Sequence, residues 1–251
     1  MRIAAFLDVD NTLTTDFIQK QFARVLGCEA EYCALEEQFQ RQAIKSKTFG
    51  DGIIKLFASK GFTEEQANAH FNDVHLQPWT HELLTLPKVD KYLVSSGPSY
   101  YIDALAERYN IRPENRCRSV YRFNRKTGLI DSCMAVDAQF KADFVSQRTK
   151  DYGITIGVGD SPELDGPFLS QCTIRLMTVE TGNDFYVPNF NSVILLIRRL
   201  SEIDDGGTVF DPGSKSIVQL VKSISVNNWV WIITALAAVF GIGTAIGSHW
   251  K

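Results

Sequence analysis

The sequence predicts an α/β fold, with a doubly wound and mainly parallel sheet, a helical insertion near its start and a transmembrane helix at its C-terminal end. Short apolar runs alternate with segments of helical periodicity, which is typical of parallel strands joined by helices. A long helical pattern over residues 16–72 interrupts this alternation after the first strand. A stretch without charged side chains lies just before the last residue of the sequence and is apolar enough to predict a membrane span.

The composition is that of an ordinary globular protein. The 251 residues include 26 Lys and Arg against 29 Asp and Glu, a net charge of −3, and 45% are hydrophobic. These values exclude a disordered polar chain and a strongly basic nucleic-acid binder, so no nucleic-acid partner is expected. The cysteines are scattered without a CxxC pair, which argues against a disulfide framework or a zinc site and favours a reducing, cytosol-facing location. They are Cys28, Cys33, Cys117, Cys133 and Cys172.

Each element is predicted from its own pattern. The apolar run Arg2–Asp8 predicts a buried first strand. Apolar positions at helical spacing predict helices from Asp16 to about Asn72, and three glycines, Gly27, Gly50 and Gly61, mark the breaks between them. Further strands are predicted at Tyr92–Val94, Ile154–Val158 and Ile174–Met177, helices at Tyr100–Tyr109, Gln139–Tyr152 and Pro162–Gln171, and a hairpin at Cys117–Phe123 and Leu129–Val136.

These patterns divide the chain into four parts. Residues 1–15 and 80–200 form the predicted core, and residues 16–79 form a helical cap inserted into it. Clustered Gly, Pro and Asp between Ser201 and Ser214 predict a linker, which continues through a short helical pattern and covers residues 201–226. Residues 227–250 form the predicted transmembrane helix.

The C-terminal stretch contains no Asp, Glu, Lys or Arg from Ser223 to Trp250. At about 1.5 Å per residue, a helix over its centre, Trp229–Gly247, reaches about 28 Å, close to a hydrocarbon core of about 30 Å. The alternative is a buried helix of the soluble core, although such helices usually carry a polar face. The N-terminus lacks the apolar length of a signal peptide, and Lys215 and Lys222 precede the span while Lys251 follows it. The predicted location is therefore a membrane, with one C-terminal pass and a cytoplasmic N-terminal domain.

Small residues within the span favour contact between copies of the chain. Gly243 and Gly247 form a GxxxG pattern, which lets helix backbones approach closely in a bilayer. This face predicts a homo-oligomer. The alternative is that both glycines reflect the higher frequency of glycine in membrane helices.

Two carboxylates directly follow the first predicted strand. Asp8 and Asp10 stand two residues apart in the loop Asp8–Thr12, so both can face one pocket at the carboxyl end of the sheet. One carboxylate can then act as a nucleophile while the other handles the proton of a leaving group. Their repulsion implies a hard cation such as Mg²⁺. An isolated Asp-x-Asp is a weak signal, because many are solvated turns.

Three further patterns follow in chain order. Ser95 ends an apolar run and precedes small residues whose N–H groups can hold phosphate oxygens. Lys141 stands near the start of a predicted helix, where its ammonium can neutralise phosphoryl charge. Acidic residues, Asp160, Glu163 and Asp165, follow another apolar run. Each pattern also has an ordinary interpretation: a Ser-Gly turn, a surface lysine and an acidic helix cap.

Together the four patterns resemble the motifs of the haloacid dehalogenase-like (HAD) hydrolase superfamily. They occur in the family's order over about residues 2–200, as Asp8–Thr12, Ser95, Lys141, and Gly159–Asp160 with Asp165. The long insertion between Asp10 and Ser95 resembles the first-position helical cap of the phosphoserine-phosphatase-like branch. The resemblance implies a Rossmann-like catalytic core and phosphatase activity.

The resemblance also implies a role for each motif residue. Asp8 would attack phosphorus to form an aspartyl-phosphate, and Asp10 would protonate the leaving oxygen and then activate water. Ser95 and Lys141 would hold phosphoryl oxygens. The implied substrate-binding residues are Asn11, Ser96 and Gly97, and the implied Mg²⁺ ligands are Asp8, the backbone carbonyl of Asp10, Asp160 and Asp165, with Glu163 as the alternative to Asp165.

The substrate is predicted by what the sequence lacks. Phosphoserine enzymes of this branch carry a glutamate where this sequence has Phe17, and only Lys55 is basic where they carry a cap arginine. A nucleotide, a phospholipid headgroup or another small phosphometabolite is therefore favoured over phosphoserine. Basic residues around the hairpin predict either an anionic substrate or lipid contact, or else a solvated face. They are Arg112, Arg116, Arg118, Arg122, Arg125 and Lys126.

The sequence thus predicts a membrane-anchored, Mg²⁺-dependent phosphatase acting on a small phosphorylated substrate. Two alternatives remain open. The first is a membrane effector, in which the HAD-like part senses a phosphorylated ligand and the transmembrane helices oligomerise to perturb the bilayer. A phosphotransferase that passes the phosphoryl group to an alcohol is the other.

Overall fold

The computed structural model describes residues 2–180, 186–187 and 190–202. The predicted transmembrane helix, residues 227–250, and the linker from residue 203 onward lie outside the described residues. No helix within the described part is long and apolar enough to cross a membrane.

The described part contains a six-stranded sheet with the strand order β4-β3-β2-β1-β5-β6. Neighbouring strands run parallel except for β3 and β4, which form an antiparallel hairpin. The predicted α/β class and mainly parallel sheet are therefore confirmed. The strands are β1 Ile3–Leu7, β2 Val89–Pro98, β3 Arg116–Phe123, β4 Ile130–Met134, β5 Ile154–Gly159 and β6 Ile174–Met177.

The central strand β1 is buried on both faces, as its continuous apolar sequence requires. Side chains alternate across a strand, so Ile3, Ala5 and Leu7 join one core while Ala4 and Phe6 join the other. The insertion between β1 and β2 supplies the first five described helices, and the four later ones cover both sheet faces. The helices are α1 Ile18–Val25, α2 Glu29–Gln40, α3 Ser46–Ser59, α4 Glu64–Ala69, α5 Thr80–Thr85, α6 Ser99–Arg108, α7 Ala138–Thr149, α8 Pro162–Leu169 and α9 Phe190–Glu202.

The insertion between β1 and β2 is helical, as predicted, but one of its predicted breaks is wrong. Gly27 and Gly61 follow helices with positive φ angles of 66° and 76°. Gly50 instead lies inside α3, where it is buried and faces Cys133 of β4. The break between α2 and α3 falls near Gln42, whose φ is 56°. A glycine in this sequence therefore does not by itself mark the end of a helix.

The chain enters and leaves this insertion at adjacent positions. The Thr15 N–H donates to the His75 carbonyl at 2.9 Å, and the Gln77 N–H donates to the Leu13 carbonyl at 2.8 Å. The hairpin of β3 and β4 reaches the insertion as well, because Gln19 donates to the Tyr121 hydroxyl at 2.8 Å. The insertion is thereby held over the carboxyl ends of the central strands.

Two further boundaries differ from the prediction. Strand β2 extends beyond Tyr92–Val94 at both ends, because Asp90 and Lys91 pair with β1 and Pro98 pairs with β3 after a shift in register. The predicted linker starts too early, since Ser201 and Glu202 still belong to α9. This helix buries Val193, Ile197 and other apolar residues in the core, so its end belongs to the packed domain.

Candidate functional site

The candidate site lies at the carboxyl edge of the sheet, where the strand order reverses. Strands β2 and β3 extend from one side of β1, whereas β5 and β6 extend from the other. Loops leaving β1 and β5 therefore diverge and open a crevice, the usual ligand position in such sheets. Asp8 follows β1, Asp160 follows β5, and the Asp8 N–H donates to the Val158 carbonyl at 2.9 Å. The topology thus places the two acidic loops side by side.

Lys141 connects two carboxylates at the base of this crevice. Its Nζ lies 2.8 Å from Oδ1 of Asp8 and 2.7 Å from Oδ1 of Asp165. All three side chains are buried, with Lys141 only 2% exposed. Burying an ammonium is costly unless carboxylates compensate it. Lys141 is therefore an internal charge of the site, and the ordinary interpretation of it as a surface lysine is wrong.

Asp165 is held by its own loop as well as by Lys141. Its Oδ2 accepts hydrogen bonds from the N–H groups of Asp160 at 2.9 Å and Ser161 at 3.0 Å. Gly159 makes this approach possible, because a Cβ at that position would lie 2.5 Å from the same oxygen. With the bond from Lys141, both carboxylate oxygens of Asp165 are engaged.

Asp10 stands beside Ser95 on the neighbouring strand. Its Oδ1 accepts the N–H of Ile18 at 2.6 Å, and its Oδ2 accepts the Ser95 hydroxyl at 3.4 Å. The Ser95 hydroxyl in turn accepts the Gly97 N–H at 3.0 Å. The start of helix α1 and the end of β2 together fix the Asp10 carboxylate.

Burial and crowding raise the pKa values of these carboxyl groups. Burial raises the pKa of Asp8 well above its usual value, and the charge of Asp165 adds to this. Burial raises the pKa of Asp10 to about 6, against the opposing effect of the Ile18 N–H. Burial and Asp165 raise the pKa of Asp160 to about 7. Burial alone would lower the pKa of Lys141, but the charges of Asp165 and Asp8 outweigh it and raise the value.

This excess of negative charge fits a divalent cation. Carboxylate oxygens of Asp8, Asp160 and Asp165 all lie within 4.8 Å of one another. Oxygen ligands of this kind are those that Mg²⁺ prefers. Since the oxygens of Asp165 already accept hydrogen bonds, Asp8 and Asp160 are the side chains better placed to hold the ion directly. Glu163 is exposed and lies outside this cluster.

The predicted substrate-binding residues differ in their surroundings. Asn11 adopts a left-handed backbone with φ 54°, and its side chain hydrogen-bonds Asp160, which lowers the pKa of that acid. Asn11 does not line the cavity described next, whereas Ser96 and Gly97 do. The Ser96 hydroxyl is buried without a hydrogen-bond partner among the described residues.

The crevice forms a cavity of about 280 Å³ with two chemically different walls. The inner wall consists of its lining residues from the sheet edge: Asp8, Asp10, Ser95, Ser96, Gly97, Lys141 and residues 160–165. The outer wall consists of its lining residues from the insertion: Phe17, Gln19, Tyr32, Glu36, Phe39, Gln40 and Phe49.

Sequence reasoning missed the outer wall apart from Phe17. A signal was present, because Tyr32, Glu36, Phe39 and Gln40 recur at helical spacing on α2 and so share one face of that helix. Half-buried Glu36 has no hydrogen-bond or ion-pair partner among the described residues, and burial raises its pKa. What the spacing did not reveal was that this face covers the loops that carry Asp8 and Asp160.

The basic residues around the hairpin lie elsewhere. Arg116 and Arg118 both pair with Asp103 of α6, at 3.3 and 2.8 Å, and Arg112 pairs with Glu114 at 3.2 Å. None of the six residues in this group lines the cavity. The proposed contact between this group and a substrate in the cavity is therefore not supported by their positions.

No protein-family profile and no curated protein matches this chain. Among solved structures, it is similar to a HAD family hydrolase from Salmonella enterica serovar Typhi, with a TM-score of 0.62 and 18% identity over 72% of this chain and 63% of that one. This chain thus spans less than two thirds of that hydrolase.

Two phosphoserine phosphatase structures are similar as well. A probable phosphoserine phosphatase from Vibrio cholerae gives a TM-score of 0.60 with 16% identity, covering 100% of this chain and 68% of that one. A phosphoserine phosphatase in a phospho-aspartyl intermediate analogue form gives 0.57 with 16% identity, covering 70% and 85%. At these identities the likeness concerns the fold. The described part of this chain therefore has the fold of the HAD-family hydrolases.

Proposed function

We propose that this protein is a Mg²⁺-dependent phosphatase that hydrolyses a phosphomonoester through an aspartyl-phosphate on Asp8. The observation that carries the proposal is the buried arrangement of Asp8 and Lys141, 2.8 Å apart, at the base of a cavity that Asp10 and Asp160 also line. An ion pair with only a structural role does not need further carboxylates beside it. A site that combines a nucleophile, a proton donor and a cation does need several carboxylates close together.

Asp8 would form the covalent bond in the first half-reaction. Its Oδ1 accepts the Lys141 hydrogen bond, which leaves Oδ2 to attack phosphorus as the bond between phosphorus and the alcohol oxygen breaks. Asp10 gives its proton to the departing alcohol oxygen. A pKa of about 6, above the usual value for an aspartate, keeps a fraction of Asp10 protonated near neutral pH, and that fraction can release its proton readily.

Asp10 would reverse its role in the second half-reaction. Its carboxylate takes a proton from water while the water oxygen attacks phosphorus, and the bond from phosphorus to Asp8 breaks. Phosphate leaves, Asp8 is again a carboxylate and Asp10 again holds a proton. The hydrogen bonds from Ile18 and Ser95 keep Asp10 in place through both steps.

Charge compensation would come from Lys141 and from a bound cation. Mg²⁺ held by Asp8 and Asp160 would supply positive charge against the phosphoryl oxygens and favour the ionised form of Asp8. Asp165 would orient Lys141 and the loop that carries Asp160, through the hydrogen bonds already described.

The outer wall supports a substrate other than phosphoserine. Lys55 is exposed and does not line the cavity, and no lysine or arginine belongs to the outer wall, so this wall offers no positive charge to the carboxylate of phosphoserine. Phe17 lines the cavity where the family resemblance implies a glutamate. We retain a nucleotide, a phospholipid headgroup or another small phosphometabolite as the substrate class.

We also propose that residues 227–250 anchor the enzyme to a membrane, with the catalytic part cytoplasmic and with Gly243 and Gly247 able to face a second copy. The uncharged sequence supports this proposal. Full-length protein should sediment with membranes and resist carbonate extraction. Release by carbonate would contradict the anchor without touching the proposed chemistry.

The proposed activity is tested by phosphate release from a panel of nucleotides, sugar phosphates and lipid-headgroup phosphates. Release should require Mg²⁺, stop in EDTA and return when Mg²⁺ is added in excess. Adding acceptor alcohols tests the phosphotransferase alternative, since transfer would lower free phosphate relative to alcohol released. Hydrolysis that is unaffected by EDTA would contradict the metal assignment.

A further inference from the structure

The outer wall has an unusual charge pattern for an enzyme of phosphate esters. Its one charged side chain is the Glu36 carboxylate, and no lysine or arginine lines it. The charge of Lys20 opposes the rise that burial causes in the pKa of Glu36, but the Lys20 Nζ pairs with Asp16 at 3.5 Å and Lys20 does not line the cavity. The part of a substrate beyond its phosphate therefore meets a negative charge and no positive one.

Aromatic residues line the same wall as this carboxylate. Tyr32 and Phe39 stand four residues before and three residues after Glu36 on the same face of α2, and Phe49 from α3 contacts both rings, at centroid distances of 6.2 and 4.9 Å. Tyr32 lines the cavity with Glu36 and Asp10, and the charges of both residues affect it. Its pKa is raised well above the usual value by burial, and then by the charges of Glu36 and Asp10. The carboxylate and the rings thus belong to one wall that reaches the catalytic loops.

A carboxylate beside aromatic rings is suited to an organic cation. The rings offer negative faces and apolar surface to an alkylated ammonium, and the carboxylate supplies its counter-charge. Phe39 and Phe49 stack on each other at 19°, which leaves no gap between these two rings for a nucleobase. A substrate with a second anionic group would instead be repelled by Glu36 without compensation.

From this wall we propose, on the basis of the phosphatase function proposed above, that the substrate is the phosphate monoester of a small amino alcohol. Its ammonium group binds against Glu36, Tyr32, Phe39 and Phe49 while its phosphate reaches Asp8. The cavity of about 280 Å³ suits such a small substrate. This proposal narrows the phospholipid-headgroup class to its cationic members.

The test compares kcat/KM for choline phosphate and ethanolamine phosphate with that for glycerol phosphate, which has a neutral alcohol, and for serine phosphate, which adds a carboxylate. The wild-type protein should prefer the two cationic esters over glycerol phosphate by about tenfold. Glu36→Gln should reduce that preference by about tenfold, and Phe39→Leu should reduce it by a smaller factor. Serine phosphate should be hydrolysed less well than ethanolamine phosphate.

The neighbouring residue provides a matched control. Glu37 is exposed on the same helix, pairs with Arg41 and does not line the cavity, so Glu37→Gln should leave the preference unchanged. The proposal is overturned if glycerol phosphate or adenosine monophosphate is preferred, or if Glu36→Gln lowers kcat/KM equally for cationic and neutral esters.

Failure of catalysis and failure of the binding site can be separated. If no phosphate ester is hydrolysed, the proposed function fails, and calorimetric binding of choline phosphate and glycerol phosphate to the wild-type protein replaces the kinetic test. Tighter binding of choline phosphate that is lost in Glu36→Gln would support the ammonium site on its own. Equal binding of the two esters would overturn it.

Discussion

The inner wall of the cavity is assembled from loops that are distant in sequence, whereas the outer wall comes from a single helical insertion. Lys141 and Asp8 are 133 positions apart, yet their atoms lie 2.8 Å apart in the interior. Tyr32, Glu36 and Phe39 share one helix, where Tyr32 is buried and the other two side chains are half-buried. The inner-wall side chains hold one another in place, which suits a reaction that requires a constant geometry. Residues of the outer wall lie on one insertion, so they can be replaced without disturbing the inner wall. We therefore expect inner-wall changes to abolish chemistry and outer-wall changes to alter substrate preference.

The largest expected effect is that of Asp8→Asn. The amide keeps the shape of the carboxylate but removes the attacking charge, so kcat should fall by several orders of magnitude on every ester tested. Steady-state phosphate release measures the loss, and thermal unfolding checks that the variant is folded. Turnover close to that of the wild type would remove Asp8 from the chemistry and break the distinction between the two walls.

Replacing Lys141 should cost stability as well as activity. Lys141→Met leaves two buried carboxylates, Asp8 and Asp165, without their shared cation, which costs about 3–5 kcal/mol when one partner of a buried pair is removed. Urea unfolding of the metal-free protein measures the difference. Lys150→Met, at the exposed end of the same helix, is the control and should change stability by less than about 0.5 kcal/mol. Similar losses for both variants would contradict the buried network.

The raised pKa of Asp10 predicts a pH-dependent stability. Because its pKa is about 6 in the folded protein and near 4 when unfolded, the folded state binds the proton more tightly. In the metal-free protein this contribution favours folding at low pH, is lost as pH rises from about 4 to 6, and stays lost above that range.

Asp10→Asn removes this dependence. At pH 7 the variant should be more stable than the wild type by about 2–3 kcal/mol, with little difference at pH near 3.5, although its turnover is severely impaired. Urea unfolding of both proteins at several pH values measures the difference in their free energies of unfolding. The control is Asp131→Asn, at an exposed residue of β4, which should not show a stability gain that grows from pH 3.5 to pH 7. A destabilised Asp10→Asn protein at pH 7 would count against a carboxylate held there for catalysis.

The smallest effect is expected at Glu163, which lines the cavity but is exposed. Glu163→Ala should change kcat/KM and the Mg²⁺ requirement by less than about threefold. Asp165→Ala should lower activity by about 10–100-fold, because Lys141 and the Asp160 loop both depend on it. The reverse order would make Glu163 the functional acid and require a different metal site.

Sequence reasoning located the inner wall better than the outer wall for a physical reason. Asp8 and Asp160 each follow an apolar strand, and the ends of parallel strands meet at one edge, so their proximity follows from local pattern. The ion pair between Lys141 and Asp165 depends on how α7 and α8 pack together, which the pattern of either helix does not contain. Only the resemblance to a family brought Lys141 into the site.

The insertion shows the opposite limit. The spacing of Tyr32, Glu36 and Phe39 in the sequence predicts that they share one face of a helix. The orientation of that face over the sheet depends on contacts elsewhere in the insertion, such as that of Gln19 with Tyr121. The helix break predicted at Gly50 is wrong for a related reason, since this residue lies inside a helix and faces β4. Local pattern predicts elements, and tertiary contacts decide which of their faces meets the substrate.

The central claim is that phosphoryl transfer passes through Asp8. After a brief reaction with a hydrolysed ester and an acid quench, borohydride should reduce an acyl-phosphate at this position to homoserine, which peptide sequencing or mass spectrometry can locate. Homoserine should appear at position 8 in the wild-type protein, accumulate in Asp10→Asn if water activation is lost, and be absent from Asp8→Asn. Phosphate release with no modified residue at position 8, or with the phosphoryl group trapped on another side chain, would contradict the account.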